Sequence, residues 1–130
     1  MHELTKAMVT ASSGMTAQSH RMRLVAENIA NADTPGYHRK VMGFEAALDA
    51  ASGAAVAEPG PVRLSEAPMR EVYEPGHPLA DDRGLVQFSN VDTLIELADA
   101  REANRSYQAN LTIFDQARRM YAGLLDLIRR

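Results

Sequence analysis

Met22-Arg23-Leu24-Val25-Ala26-Glu27-Asn28-Ile29-Ala30-Asn31-Ala32-Asp33-Thr34-Pro35-Gly36-Tyr37 is the stretch on which the fold turns. Its first half continues a seven-residue repeat that starts far upstream, with Met8, Met15, Met22 and Ile29 in one register and Leu4, Ala11, Gln18 and Val25 in the complementary one. Such a repeat describes a coiled-coil seam with one polar interruption at Gln18, or a plain amphipathic helix lying on its own core. Ala7, Ala11 and Gly14 form a small-residue stripe beside the seam that lets another helix come close, although Gly14 weakens the isolated helix by roughly 1 kcal/mol relative to Ala. The second half stops the repeat. Ala32-Asp33-Thr34-Pro35-Gly36 supplies a residue that tolerates a left-handed backbone and then a Pro-Gly turn that cannot continue a helix, so the head helix is expected to end near Asn31.

Outward from this point the chain divides in three. All six prolines fall between Pro35 and Pro78, which leaves a proline-free head and a proline-free tail. In the middle, Val62-Arg63-Leu64 and Leu85-Val86-Gln87-Phe88 read as short strands, with turn groups at Glu58-Pro59-Gly60-Pro61 and Glu74-Pro75-Gly76-His77-Pro78. The Ala-rich stretch from Ala46 to Ala55 fits either a short helix or a mobile loop. The tail opens on Ser89-Asn90-Val91-Asp92, where Ser89 is expected to cap the helix and Asp92 to favour its positive end. It then keeps a 3,4 spacing through Leu97, Ala100, Asn104, Tyr107, Leu111, Phe114, Arg118, Tyr121, Leu125 and Ile128. A second stripe, Ile113, Ala117, Met120, Leu124 and Leu127, widens the apolar arc to roughly 160°, more than one partner helix covers.

These boundaries give a mainly α fold with a small β-containing insert. Long N- and C-terminal helices, in 1–32 and 89–130, pair as a coiled coil and flank a short-stranded middle domain at 33–88. At 1.5 Å per residue the tail helix reaches up to about 60 Å, whereas a compact globule of this length is only about 35 Å across. The tail therefore overhangs its own domain unless neighbouring subunits meet it.

Composition removes whole classes of chemistry. With 130 residues and a net charge of -3 there is no basic surplus to neutralise nucleic acid, and no apolar run approaches the length of a membrane span. Without cysteine, thiolate nucleophiles and Cys-ligated metals are excluded. His2, His20, His38 and His77 are scattered, Asp81-Asp82 beside Gly84 reads as a turn, and no glycine-rich phosphate loop occurs. Ser19 and His20 diverge by about 100° on a helix and cannot act as a nucleophile–base pair. The N-terminus shows no cleavable secretory signal, because Ser12, Ser13, Thr16 and Gln18 interrupt its apolar residues. Neither a catalytic residue nor a cofactor or metal site is expected.

Two segments carry a resemblance. Asn28-Ile29-Ala30-Asn31-Ala32-Asp33-Thr34-Pro35-Gly36-Tyr37 resembles the N-terminal motif of flagellar rod and hook axial proteins, and Arg105-Ser106-Tyr107-Gln108-Ala109-Asn110 resembles their C-terminal one. Tyr73-Glu74-Pro75-Gly76-His77-Pro78-Leu79-Ala80-Asp81 and Asn90-Val91-Asp92 look like the proximal-rod members of that family. The resemblance implies a structural subunit of the basal-body proximal rod that polymerises helically through its terminal helices and transmits torque. It implies partners: neighbouring copies, the rod subunits FlgB, FlgF and FlgG, the adapter FliE and the flagellar type III export apparatus. A place in the periplasmic space, reached without a cleavable signal, follows as well. The other readings are a FlgB-like axial subunit and a soluble coiled-coil adaptor or chaperone.

In the rod reading the subunit-packing residues are Leu4, Met8, Ala11, Met15, Met22, Val25 and Ile29 in the head and Tyr107, Leu111, Phe114, Tyr121, Leu125 and Ile128 in the tail. Asn28, Asn31, Thr34, Pro35, Gly36 and Tyr37 set the exit from the inner helical layer. Ser106, Gln108 and Asn110 match the second motif, with the two amides expected to engage partners across packed helices. Pro75, Gly76, His77 and Pro78 shape a rigid turn near the return into the tail. The terminal helices are expected to be poorly ordered before assembly, because ordering costs entropy until their apolar faces find partners.

Overall fold

The computed structural model describes residues 2–130. Helix α1 runs over His2–Ala30, and strands β1 (Lys40–Leu48), β2 (Ala55–Leu64), β3 (Glu71–Tyr73) and β4 (Leu85–Gln87) follow. Helix α2, Thr93–Arg129, closes the chain. Two long helices thus flank a small middle built from two antiparallel pairs, β1 with β2 and β3 with β4.

The end of α1 is fastened in the way its residues suggest. The Asn31 side-chain amide donates back to the Glu27 carbonyl at 2.9 Å, and the Thr34 hydroxyl donates to the Asn31 side-chain oxygen at 3.1 Å. Gly36, at φ 76°, then turns the backbone so that its N–H is shared by the Gln87 and Phe88 carbonyls at 3.1 and 3.0 Å. At the start of α2 the capping residue is Asp92, whose carboxylate accepts from the Leu94 N–H at 3.0 Å. The expected cap, Ser89, is instead buried three residues upstream; its hydroxyl donates to the Ala32 carbonyl and accepts from the Val91 N–H. Ser89 therefore joins the two helix approaches and leaves the capping to Asp92.

The helices run antiparallel. Asn28 meets Glu96, Arg21 meets Asp99 and Glu102, and Gly14 lies against Asn110. Small side chains make the seam: Ala11 and Ala17 of α1 and Ala103 and Ala117 of α2 are buried. A Cβ on Gly14 would stand 2.6 Å from the Asn110 side-chain nitrogen, so glycine sets the approach there. Gln18 is the seam's polar interruption, and its buried side-chain oxygen has no hydrogen-bond partner among the described residues.

On α2 the covered face is rotated from the stripe read in the sequence. Ala100, Tyr107, Phe114, Tyr121 and Leu125 are half-buried as that stripe implies, but the residues between them that turn inward are Ala103, Asn110 and Ala117. Leu97, Asn104, Leu111 and Arg118 face outward, and Ile128, seven residues after Tyr121, is exposed at the far end of the helix. The closest approach of two helices selects the smallest side chains, and the large apolar ones are left on the flank.

The stretch from Ala46 to Ala55 is not a helix: it is the tip of the β1–β2 hairpin with the adjoining strand ends. The Asp49 carboxylate accepts from the Ser52 N–H and hydroxyl at 2.9 and 2.7 Å, and Gly53 takes φ 72°. Pro59-Gly60-Pro61, read as a turn, sits inside β2 opposite an irregularity between Met42 and Phe44. Prolines are tolerated in a strand at an edge or a bulge, and the hairpin supplies both. The hairpin lies along α1, with the Thr10 hydroxyl donating to the Ala55 carbonyl at 2.6 Å and the Ser13 hydroxyl accepting from the Ala57 N–H at 3.1 Å.

Candidate functional site

The chain's most highly organised polar cluster is the junction where both helices meet the β-hairpin. Asn28 is buried on the last turns of α1, and its carboxamide behaves like a neighbouring strand toward Lys40. Its nitrogen donates to the Lys40 carbonyl at 2.9 Å, and its oxygen accepts from the Lys40 N–H at 2.9 Å. The same nitrogen donates to Glu96 at 3.3 Å, and the oxygen also accepts from the Tyr37 hydroxyl at 2.8 Å. All four polar positions of the amide are thereby used.

Glu96 is fully buried, and two residues balance its charge and its lone pairs. Arg39 donates through Nε to one carboxylate oxygen while Asn28 serves the other. Arg39 also reaches Asp99 at 2.9 Å, and Arg21 bridges Asp99 and Glu102 at 3.4 and 3.3 Å. A buried acid with a guanidinium and an amide on its oxygens is tolerated where an unpaired one is not. Burial and the nearby Glu27 carboxylate raise the Tyr37 phenol above its usual range, so it stays protonated and donates to Asn28. Lys40 is raised by its hydrogen bond to Glu27 at 2.5 Å, which keeps it cationic. Asn90 closes the junction from the other side: its side-chain nitrogen donates to the Ser65 and Ala67 carbonyls, both at 3.0 Å, and its oxygen accepts from the Arg39 N–H at 2.5 Å.

The junction gathers Asn28, Asn31, Thr34, Pro35, Gly36 and Tyr37 into one corner. The second motif lies elsewhere. Asn110 rests against Gly14 but donates its amide to the Ser106 carbonyl of its own helix at 3.0 Å, and Gln108 is exposed. Pro75, Gly76, His77 and Pro78 form the turn between β3 and β4; the His77 ring accepts from the Leu79 N–H at 3.0 Å and meets Phe88 edge to face at 6.1 Å. Of the seam residues, Ala11 and Val25 are buried, Leu4, Met8, Met15, Met22 and Ile29 are half-buried, and Leu111 and Ile128 face outward.

Local sequence spacing does not single out Glu96, Arg39 or Arg21, and Asp99, which spacing alone places on a solvated charged edge, is half-buried and paired with both arginines. One signal was present: Glu96 lies four and seven residues before Ala100 and Ala103, which places an acid on the covered stripe, where it needs a partner. The partner, Arg39, is 57 residues away and in no helix, so no local spacing exposes it.

The second feature is apolar. Leu94, Ile95 and Leu97 near the start of α2, and Leu111, Ile113, Met120, Leu124, Leu127 and Ile128 in its C-terminal half, are exposed. Exposed large apolar side chains in this number mark an interaction surface. Among the described residues there is no cluster of three or more His, Asp or Glu fit to hold a metal, and no helix is long and apolar enough to cross a membrane.

Comparison with known proteins converges on one family. Residues 8–38 match the family described as flagella basal body rod protein, and residues 83–127 match the flagellar basal body rod FlgEFG protein C-terminal family. The flagellar basal-body rod protein FlgC of Agrobacterium fabrum is 43% identical over 99% of this chain and 98% of its own. Its counterpart in Escherichia coli O6:H1 is 40% identical over 90% and 92%, and that of Aquifex aeolicus 33% identical over 93% and 94%. The buried corner around Asn28 falls inside the first matched segment, and most of α2 falls inside the second. The chain belongs to the FlgC family of flagellar basal-body rod proteins, structural subunits of the rod.

Proposed function

We propose that this subunit builds the proximal rod by helical polymerisation of its two terminal helices and carries motor torque through many parallel seams, without catalysis or cofactor. The observation that carries the reading is the set of large apolar side chains that α1 leaves uncovered on α2, Leu94, Ile95 and Leu97 near its start and Leu111, Ile113, Met120, Leu124, Leu127 and Ile128 in its C-terminal half. At about 25 cal/mol per Å² such side chains gain free energy only when another subunit covers them. In the assembled rod α1 and α2 form an inner helical domain with a coiled-coil seam, and the segment from 33 to 88 stands outside it. Leu4, Met8, Met15, Met22, Leu111, Phe114, Leu125 and Ile128 then contact neighbouring copies or FlgB, FlgF, FlgG and FliE. The subunit reaches the periplasmic space through the flagellar export apparatus.

In this reading the ends of the helices far from the Asn28 junction order fully only on assembly. The test is incorporation. Leu111→Asp, on the exposed face, is expected to leave the purified chain folded in its middle and to abolish motility and recovery of the chain in basal bodies. Normal motility in a strain lacking the chain, or wild-type incorporation of Leu111→Asp, overturns the reading.

A further inference from the structure

The register of the helical hairpin leaves one end of α2 without a counterpart among the described residues. In the pairs Gly14–Asn110 and Asn28–Glu96 the residue numbers sum to 124, which sets His2 opposite Ala122 and leaves Gly123–Arg129 beyond the end of α1. That overhang is about 10 Å long. Leu124, Leu127 and Ile128 share one face of it, at 39%, 65% and 73% exposure, while Asp126 points about 200° away from Leu124 and from Ile128. Arg129 and Arg130 follow, with no carboxylate partner among the described residues. The overhang is thus an apolar plug with a basic tip.

A complementary surface exists elsewhere on the same chain. Between α1 and the hairpin tip lies an open groove of about 490 Å³ whose apolar wall includes Met8, Val9, Val56 and Phe114. Asp49 and Glu58 also line it, and among the described residues no basic side chain does. Hydrogen bonds from Ser52 hold the Asp49 carboxyl below the usual range, so it is anionic, and Glu58 is exposed without an ion-pair partner among the described residues. The overhang cannot reach the groove of its own chain. Met8 lies opposite residue 116, and Leu127 is eleven positions further along a continuous helix, about 16 Å away.

Resting on the rod reading above, we infer that the α2 overhang of one copy seats in this groove on the next copy. Leu124, Leu127 and Ile128 cover Met8, Val9, Val56 and Phe114, and Arg129 and Arg130 meet Asp49 and Glu58. Plug and groove are different surfaces, so the contact is heterologous: each copy offers one and receives one, and the chain of contacts propagates without closing on itself. Opposite charges at the rim fix which end enters and in which direction.

The absence of cysteine makes the contact directly readable. The full chain carrying Met8→Cys and Leu127→Cys is expressed in a strain lacking its own copy, and isolated basal bodies are treated with a mild oxidant. A ladder of dimers, trimers and higher multiples is expected. Arg130→Glu or Glu58→Arg in that background weakens the ladder at least about tenfold, and the two reversals together restore it. In the cysteine-free chain the same reversals are read by motility: each alone shrinks the swarm, and the pair recovers it. An adduct with a different protein only, no adduct in basal bodies that contain the chain, or reversals that fail to rescue one another overturns the contact and leaves the rod role standing. A chain missing from basal bodies in its unmodified form would instead defeat the rod reading itself.

Discussion

Replacing Asn28 by Ala isolates the contribution of a single carboxamide to the whole corner. The side chain makes four hydrogen bonds, two to the Lys40 backbone, one from Tyr37 and one to Glu96. At a net value of about 1 kcal/mol each they contribute about 4 kcal/mol. Two effects reduce the loss. Ala is the better helix former by about 0.6 kcal/mol, and Lys40 is only half-buried, so water satisfies part of its freed backbone. We therefore expect Asn28→Ala to cost about 3 kcal/mol. With a urea dependence of about 1.5 kcal/mol per molar, usual for a domain of this size, the unfolding midpoint falls by about 2 M. Hydrogen exchange reports the local event: the Lys40 N–H loses its protection before the strand amides that face β2. Tyr37→Phe removes one of the four bonds and serves as the scale, at about 1 kcal/mol. A loss below about 0.5 kcal/mol for Asn28→Ala, with the Lys40 amide still protected, would refute the view that the carboxamide fastens β1 to α1.

Gly14→Ala is expected to destabilise the chain by about 1 kcal/mol, because the new methyl displaces the Asn110 side chain and breaks its bond to Ser106. Gly14→Ala combined with Asn110→Ala recovers or exceeds the original melting temperature, since both changes favour the helix. Gly84→Ala meets two obstacles, a φ of 80° and a Cβ only 2.7 Å from the Tyr73 ring, and should cost about 2 kcal/mol in a thermal melt, little of it recovered by Tyr73→Ala. The Asp81 carboxyl is held below its usual range first by the Leu85 N–H and then by the Arg83 N–H. A depressed folded value means stabilisation that is complete above the unfolded pKa and lost as pH falls through the folded one, so exchange protection of the Leu85 amide should decline only in acid. Asp81→Ala should abolish that acid dependence.

Much of the scaffold was legible, and the failures share a cause. Pro35-Gly36 ends α1 where backbone chemistry requires, and the strands at Val62–Leu64 and Leu85–Gln87 lie where alternating residues placed them. The period of α2 is legible, and the face that meets α1 takes in Ala103, Asn110 and Ala117 between the half-buried Ala100, Tyr107, Phe114 and Tyr121 of the stripe. Apolar pattern weighs side chains by size, and here Ala103 and Ala117 are inside while Leu97 and Leu111 are outside. In a chain whose helices touch through alanine and glycine, the largest hydrophobic residues mark what α1 leaves open. The hairpin tip was obscured by a run of alanines, although Asp49, Ser52 and Gly53 carry the turn chemistry that forms it. The Pro59-Gly60-Pro61 group looked like a turn because its own geometry excludes a regular ladder; the irregularity opposite it in β1 makes room. Glu96 and Arg39 were out of reach because their meaning lies in each other, across 57 residues.

The hairpin's fastenings have a mechanical consequence. From Lys40 to Leu48 strand β1 is a lever about 30 Å long. Fixed only at its root by Asn28, a play of about 10° there would swing the far end by about 5 Å, the width of one strand spacing. The Thr10 and Ser13 hydroxyls hold the far end as well, at Ala55 and Ala57. The hairpin is therefore a beam supported at both ends instead of a cantilever, and a sideways load on it passes into α1 at two separated points. Loosening either support leaves the fold standing but changes how stiffly one layer of the molecule is coupled to the other.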